Sequence, residues 1–151
     1  MRRMLALVML ASLAACGGDE PSTPSTAPDH IVRFPGAGTA LHVRVSDSDA
    51  ERAQGLMGVN DLPSDEGMAF VWEEPVESTF WMKDTPIPLS IAFVGADDRI
   101  VTIAEMAPCR SDPCPTYAAD APFVLAIEAN RGFYADAGIG EGDRALLETA
   151  S

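Results

Sequence analysis

The stretch LSIAFVGADDRIVTIAEM, Leu89 to Met106, decides how the rest of the chain is read. Leu89, Ile91 and Phe93 recur at spacing two, the period of a half-buried strand, and Arg99 to Met106 resumes an apolar run. Between them GADD, Gly95 to Asp98, has the composition of a tight turn, so the whole segment predicts a β-hairpin. The same spacing returns at Leu41, Val43 and Val45, at Met68, Phe70 and Trp72, and at Phe123, Leu125 and Ile127. Roughly eight short strands set off by Gly and Pro turns predict a mainly β, single compact domain over residues 31–149, an antiparallel β-sandwich or barrel. About two short helices fit between the strands. Ser48, Asp49, Ala50 and Glu51 spell a capping box that starts one towards Met57, and Gly132 to Ala137 forms another that ends at Gly138.

N-terminal to this domain the composition changes twice. Arg2 and Arg3 precede an apolar run, Met4 to Ala15, that ends in small residues, which is the pattern of a secretory signal peptide and too short for a stable membrane span. LAAC, Leu13 to Cys16, resembles the lipobox of bacterial lipoproteins, which makes Cys16 the lipidated first residue of the mature chain. Residues 17–30, GGDEPSTPSTAPDH, hold no large apolar side chain and read as a flexible tether between Cys16 and the domain. A lipid-anchored protein of the cell envelope follows as an expectation. Gly17, by analogy with other lipoproteins, points to the periplasmic side of the outer membrane in a Gram-negative host.

The chain carries 10 basic and 23 acidic side chains, a formal charge of −13. Removing residues 1–15 takes Arg2 and Arg3 with it and leaves a charge of −15 on the mature protein. Such a body repels phosphate backbones and anionic lipid heads, so nucleic acid is disfavoured and the membrane is met through acyl chains alone. The expected state is a monomer.

GLM at 55–57, EGMAFVW at 66–72, FWMKDTPIPLSIAF at 80–93, CPTY at 114–117 and GIGEGD at 138–143 together resemble the domain of unknown function 192 family. The resemblance implies a compact, mainly β domain that is often exported, and it implies no activity. One position departs from the family pattern: Asp84 stands where Asn usually follows the lysine.

Within FWMKDTPIPL, a strand over Val76 to Lys83 sends Val76, Ser78, Phe80 and Met82 to one face and Glu77, Thr79, Trp81 and Lys83 to the other. The first face is a core face. The second combines an aromatic ring, a carboxylate and an ammonium, and Pro86 and Pro88 stiffen the turn behind it. Glu77, Trp81, Lys83 and Asp84 are therefore candidate binding residues, joined by Arg110 and Tyr117 from the loop MAPCRSDPCPTY, 106–117. In that loop Cys109 and Cys114 are the only cysteines left once Cys16 is lipidated, and export predicts a disulfide between them.

Catalytic and metal constellations are weaker. Met57, Met68, Met82 and Met106 with Cys109 and Cys114 suit Cu(I), but thioethers on apolar strand positions also simply fill core gaps. His30 and His42 lack zinc-ligand spacing, no GxSxG surrounds a serine, and neither Walker nor GxGxxG spelling occurs. No cofactor is implied. Glu77, Asp84, Glu105 and Glu128 are strand or strand-end acids, and two of them in one cleft would serve acid–base hydrolysis. A small binding or envelope-support module is thus the leading expectation, with an envelope hydrolase or a periplasmic Cu(I)-binding protein as alternatives.

Overall fold

The computed structural model describes residues 27–150. The signal peptide, Cys16 and most of the tether lie outside the described residues. The strands are β1 His30–Phe34, β2 Thr39–Ser46, β3 Glu66–Val76, β4 Thr79–Trp81, β5 Leu89–Val94, β6 Ile100–Met106, β7 Thr116–Ala118, β8 Phe123–Asn130 and β9 Leu146–Thr149. Two short helices join them, α1 Asp49–Gln54 and α2 Phe133–Ala137. Seven strands form one sheet in the order β6-β5-β8-β3-β2-β1-β9, and β4 pairs with β7 as a separate ribbon.

The hairpin of Leu89 to Met106 is present, closed by the Gly95 amide donating to the Arg99 carbonyl at 2.8 Å, with Asp98 left-handed at φ 62°. Both helix boundaries also follow the sequence. Ser48 and Glu51 form the reciprocal capping box of α1, and Gly138, at φ 69°, ends α2 in the left-handed region that favours glycine.

Two details differ from the expectations, and a third decides between the sandwich and the barrel in favour of the sandwich. The sheet is mixed, because β2 and β3 run parallel, and residues 47–65, including α1, carry the chain back to the starting end. The strand expected over Val76 to Lys83 is split, with β3 ending at Val76 and β4 holding only Thr79–Trp81. The sheet does not close into a barrel, although its edges approach. Ile100 and Ala145 donate to the carbonyls of Asp143 and Asp98, both at 2.9 Å, so the GIGEGD segment lies along the start of β6 just before β9 begins.

Both faces of the sheet are covered, which explains why all six residues of β5 are buried. One face packs Val32, Phe34, Leu41, Val43, Ala92 and Ile127 with Tyr134 and Ile139 from the α2 region. The other packs Met68, Phe70, Ile91, Phe93 and Phe123 under the ribbon and under Leu56 and Leu62. Phe80 holds the ribbon down, its ring centroid 5.0 Å from Phe70 and 5.6 Å from Phe93, both edge-on. Met82, Met68 and Met106 are buried in this second cluster, as gap-filling thioethers would be.

Candidate functional site

Between α1, the ribbon and the second face of the sheet lies a cavity of about 390 Å³. That is within the range of small-molecule sites. Phe70, Trp72, Phe80 and Trp81 supply aromatic walls, and Glu128 lies among the lining residues.

Arg52 fixes one wall. Its guanidinium donates to the Val71 carbonyl at 2.8 Å, to Asp49 Oδ1 at 2.6 Å and to the Asp47 carbonyl, and it sits 5.1 Å over the Trp72 ring. The capping box starts α1 at the point that lets Arg52 reach β3. Trp81 is also among the lining residues, at the outer edge of the cavity, 50% exposed on the side of β4 opposite Phe80. Lys83 Nζ stands 5.6 Å over the Trp81 ring. Thr85 is buried beside them and donates its hydroxyl to the Lys83 carbonyl at 3.2 Å.

Glu128 is the chemically distinctive group. In register it lies between Met68 of β3 and Ile91 of β5, in the middle of the sheet. It is 5% exposed, its carboxyl makes no hydrogen bond or ion pair among the described residues, and its oxygens are open to the cavity and not sealed in the core. Burial disfavours the charged form and pushes this carboxyl from 4.5 up to about 8. It is therefore mostly protonated at neutral pH, a donor facing an aromatic cavity.

The candidate residues separate. Trp81 lines the cavity and Lys83 stacks on it. Asp84 is a corner residue, left-handed at φ 53°, whose carbonyl accepts from the Gly58 amide at 2.8 Å. Asn and Asp are the side chains that best tolerate that conformation, which accounts for Asp where Asn is usual. Glu77 is exposed beside a second depression shared with Ala118 to Phe123. Arg110 is exposed on the cysteine loop. Tyr117 is half-buried opposite Phe80, its hydroxyl accepting from the Ala107 amide at 3.2 Å. Cys109 and Cys114 stand at bonding distance, 2.08 Å between sulfurs.

The four acids do not form a pair either. Glu105 pairs with Ser90 on the opposite face of the sheet, accepting from its hydroxyl at 2.6 Å and from Arg131 at 3.3 Å. Among the described residues no group of three or more His, Cys, Asp or Glu is placed to hold a metal ion. Among the described residues the one other carboxylate lining the cavity is Asp49, engaged by Arg52. Arg52 and Trp72 were not singled out from the sequence as site residues. The signal for Glu128 was a lone acid in the apolar strand FVLAIEAN.

GLM, EGMAFVW and FWMKDTPIPLSIAF each contribute to the lining of this cavity, beside α1 and Glu128. Residues 31–147 match DUF192, described as "Uncharacterized ACR". The chain belongs to the DUF192 family. Its fold is similar to that of a protein of unknown function from Novosphingobium aromaticivorans DSM 12444, at 31% identity and TM-score 0.72, covering 86% of this chain and 99% of that one. It is also similar to a protein of Sinorhizobium meliloti 1021 described, provisionally, as a transcription regulator, at 29% identity and TM-score 0.70, covering 80% and 92%. No curated protein matches the chain. The DUF192 assignment therefore carries the fold and no reaction.

Proposed function

We propose that this DUF192 domain is a small-ligand binding module of the cell envelope, tethered through an acylated Cys16. The observation that carries the reading is the aromatic cavity with an unpartnered, buried Glu128 in its lining. Aromatic side chains with several convergent polar groups are a common make-up of ligand sites, and a native-state ligand raises apparent stability. A thermal-shift screen of the mature protein against glycans, peptidoglycan fragments, amines and metals is expected to give a hit that Trp81→Ala abolishes. Trp81 is half exposed, so its loss costs little stability, and a screen without a single shift would remove the reading.

The anchor has its own test. Cys16→Ser is expected to move the protein from the membrane to the soluble fraction, and unchanged membrane retention would refute lipidation. In an oxidising envelope the Cys109 and Cys114 sulfurs are bonded, which holds the loop behind Met82 through the Cys109 amide and the Met82 carbonyl. The regulator description of the Sinorhizobium protein transfers poorly, because a charge of −13 opposes a DNA backbone.

One observation favours a second reading. A carboxyl held at about 8 inside a cavity is suited to act as a general acid. Hydrolysis also needs a base or nucleophile, and Asp49 is occupied by Arg52, so binding is preferred. A ligand recovered chemically altered would reverse that preference.

A further inference from the structure

We infer that the cavity takes an organic ammonium cation, its charged nitrogen set against the Glu128 carboxylate and its carbon skeleton against the aromatic side chains on the inner side of the cavity, Phe70 and Phe80. This rests on the binding reading above and specifies its ligand. Four observations point the same way. The Glu128 carboxyl has no partner among the described residues, so a site for one counter-charge is built and unspent. The aromatic walls are of the kind whose faces attract cations, and two of them already do, with Arg52 over Trp72 and Lys83 over Trp81. Arg52, the cation in the lining, is committed to Asp49 and two carbonyls, so it does not neutralise Glu128. The field of a protein of charge −13 draws cations in and keeps anions out.

Binding then has a definite proton balance. The empty site holds a protonated carboxyl, and on association the proton leaves to solvent while the carboxylate forms an ion pair with the ligand. The other charged groups around Glu128 keep this simple. From α1, Arg52 and Asp49 face the cavity as a closed pair. From β2, Arg44 is in the same cross-strand row beyond Met68, with His42 and Glu66 one row further on. Lys83 lies just past the end of β4, over the Trp81 ring and outside the lining. On the opposite face of the sheet lie Tyr134 and Glu105, and the Tyr134 hydroxyl is pushed up by burial and by Glu128, out of the range of interest. Of the ionisable groups that line the cavity, Asp49, Arg52 and Glu128, it is Glu128 whose charge changes between pH 6 and 9.

The test is calorimetry on the mature protein with quaternary ammonium probes, choline and benzyltrimethylammonium, whose charge does not titrate, and with 3,3-dimethyl-1-butanol as the neutral isostere of choline. Affinity for a cation scales with the ionised fraction of Glu128, so it is expected to rise about a hundredfold from pH 6 to pH 9 and to release close to one proton at pH 7. Glu128→Gln, close in shape, is expected to stay folded, to weaken the cations at pH 9 by at least tenfold and to flatten the pH profile. The neutral isostere is expected to bind the parent weakly. Equal binding of the isostere, or affinity that falls as pH rises, would overturn the ammonium assignment while leaving a small-ligand cavity that uses Glu128 as a donor. No binding of either quaternary probe at pH 9 would overturn it as well, and the broader screen would then judge the cavity by itself.

Discussion

Between pH 4.5 and pH 8 the parent protein is expected to lose roughly 4 to 5 kcal/mol of folding stability that the Glu128→Gln variant does not lose. In the unfolded chain this carboxyl titrates near 4.5, whereas burial holds it at about 8 in the fold. At pH values between the two, the native state binds a proton that the unfolded state has released. Raising the pH therefore favours unfolding, by about 1.4 kcal/mol per unit. The penalty is absent below 4.5, grows through neutrality and is complete once pH exceeds the folded value near 8. Gln carries no such term. Its amide faces the same cavity, and whatever that costs is the same at every pH.

The informative quantity is thus the difference between two profiles. Urea unfolding of parent and variant at pH 4.5, 6, 7 and 8 provides it, with contributions from the exposed acids cancelling in the subtraction. Tyr134 does not intrude, because its hydroxyl is pushed upwards, away from this window. Parallel profiles would mean that Glu128 is hydrated or partnered in solution, and the site would lose its distinctive group. A stability sacrifice of this size on a central strand is what a functional carboxyl costs. A structural one would be expected to have a partner, as Glu105 has in Ser90 and Arg131.

What was legible in the sequence follows the range of the forces involved. The hairpin at GADD, the capping box at Ser48 and the glycine stop at Gly138 depend on residues a few positions apart, and all three are realised. The parallel pairing of β2 with β3 depends on where residues 47–65 deposit the chain, and strand periodicity is silent about direction. The face assignment within FWMKDTPIPL survives the splitting of its strand, since Phe80 and Met82 point inwards and Trp81 outwards. Asp84, however, is selected by a left-handed backbone, which no side-chain pattern reveals. Arg110 and Tyr117 are near Trp81 in the chain's order of motifs but belong to other surfaces, because β7 brings Tyr117 against the core side of Phe80. Glu128 was visible as an acid in an apolar strand. Its isolation was not, because that required knowing that both faces of β8 are covered.

Gly67→Ala is expected to destabilise the domain by about 3 kcal/mol, through the main chain and not through the core side chains. Gly67 is the second residue of EGMAFVW and lies opposite Ala129, where β3 and β8 come together in the middle of the sheet. A Cβ built there would lie 2.3 Å from the Glu128 carbonyl oxygen and 2.6 Å from Leu41 Cδ2, both closer than real Cβ contacts come. The leucine can turn aside. The carbonyl is backbone in a central strand, so β8 must shift, and with it the residue that carries the cavity acid. A double-mutant cycle with Leu41→Ala separates the two obstacles. Leu41 is fully buried, so its truncation alone costs about 2 to 5 kcal/mol. If the carbonyl is the main obstacle, the cost of Gly67→Ala persists in the Leu41→Ala background. Disappearance of that cost would place the obstacle in the leucine side chain and show that β3 and β8 have room for a methyl group beside Glu128.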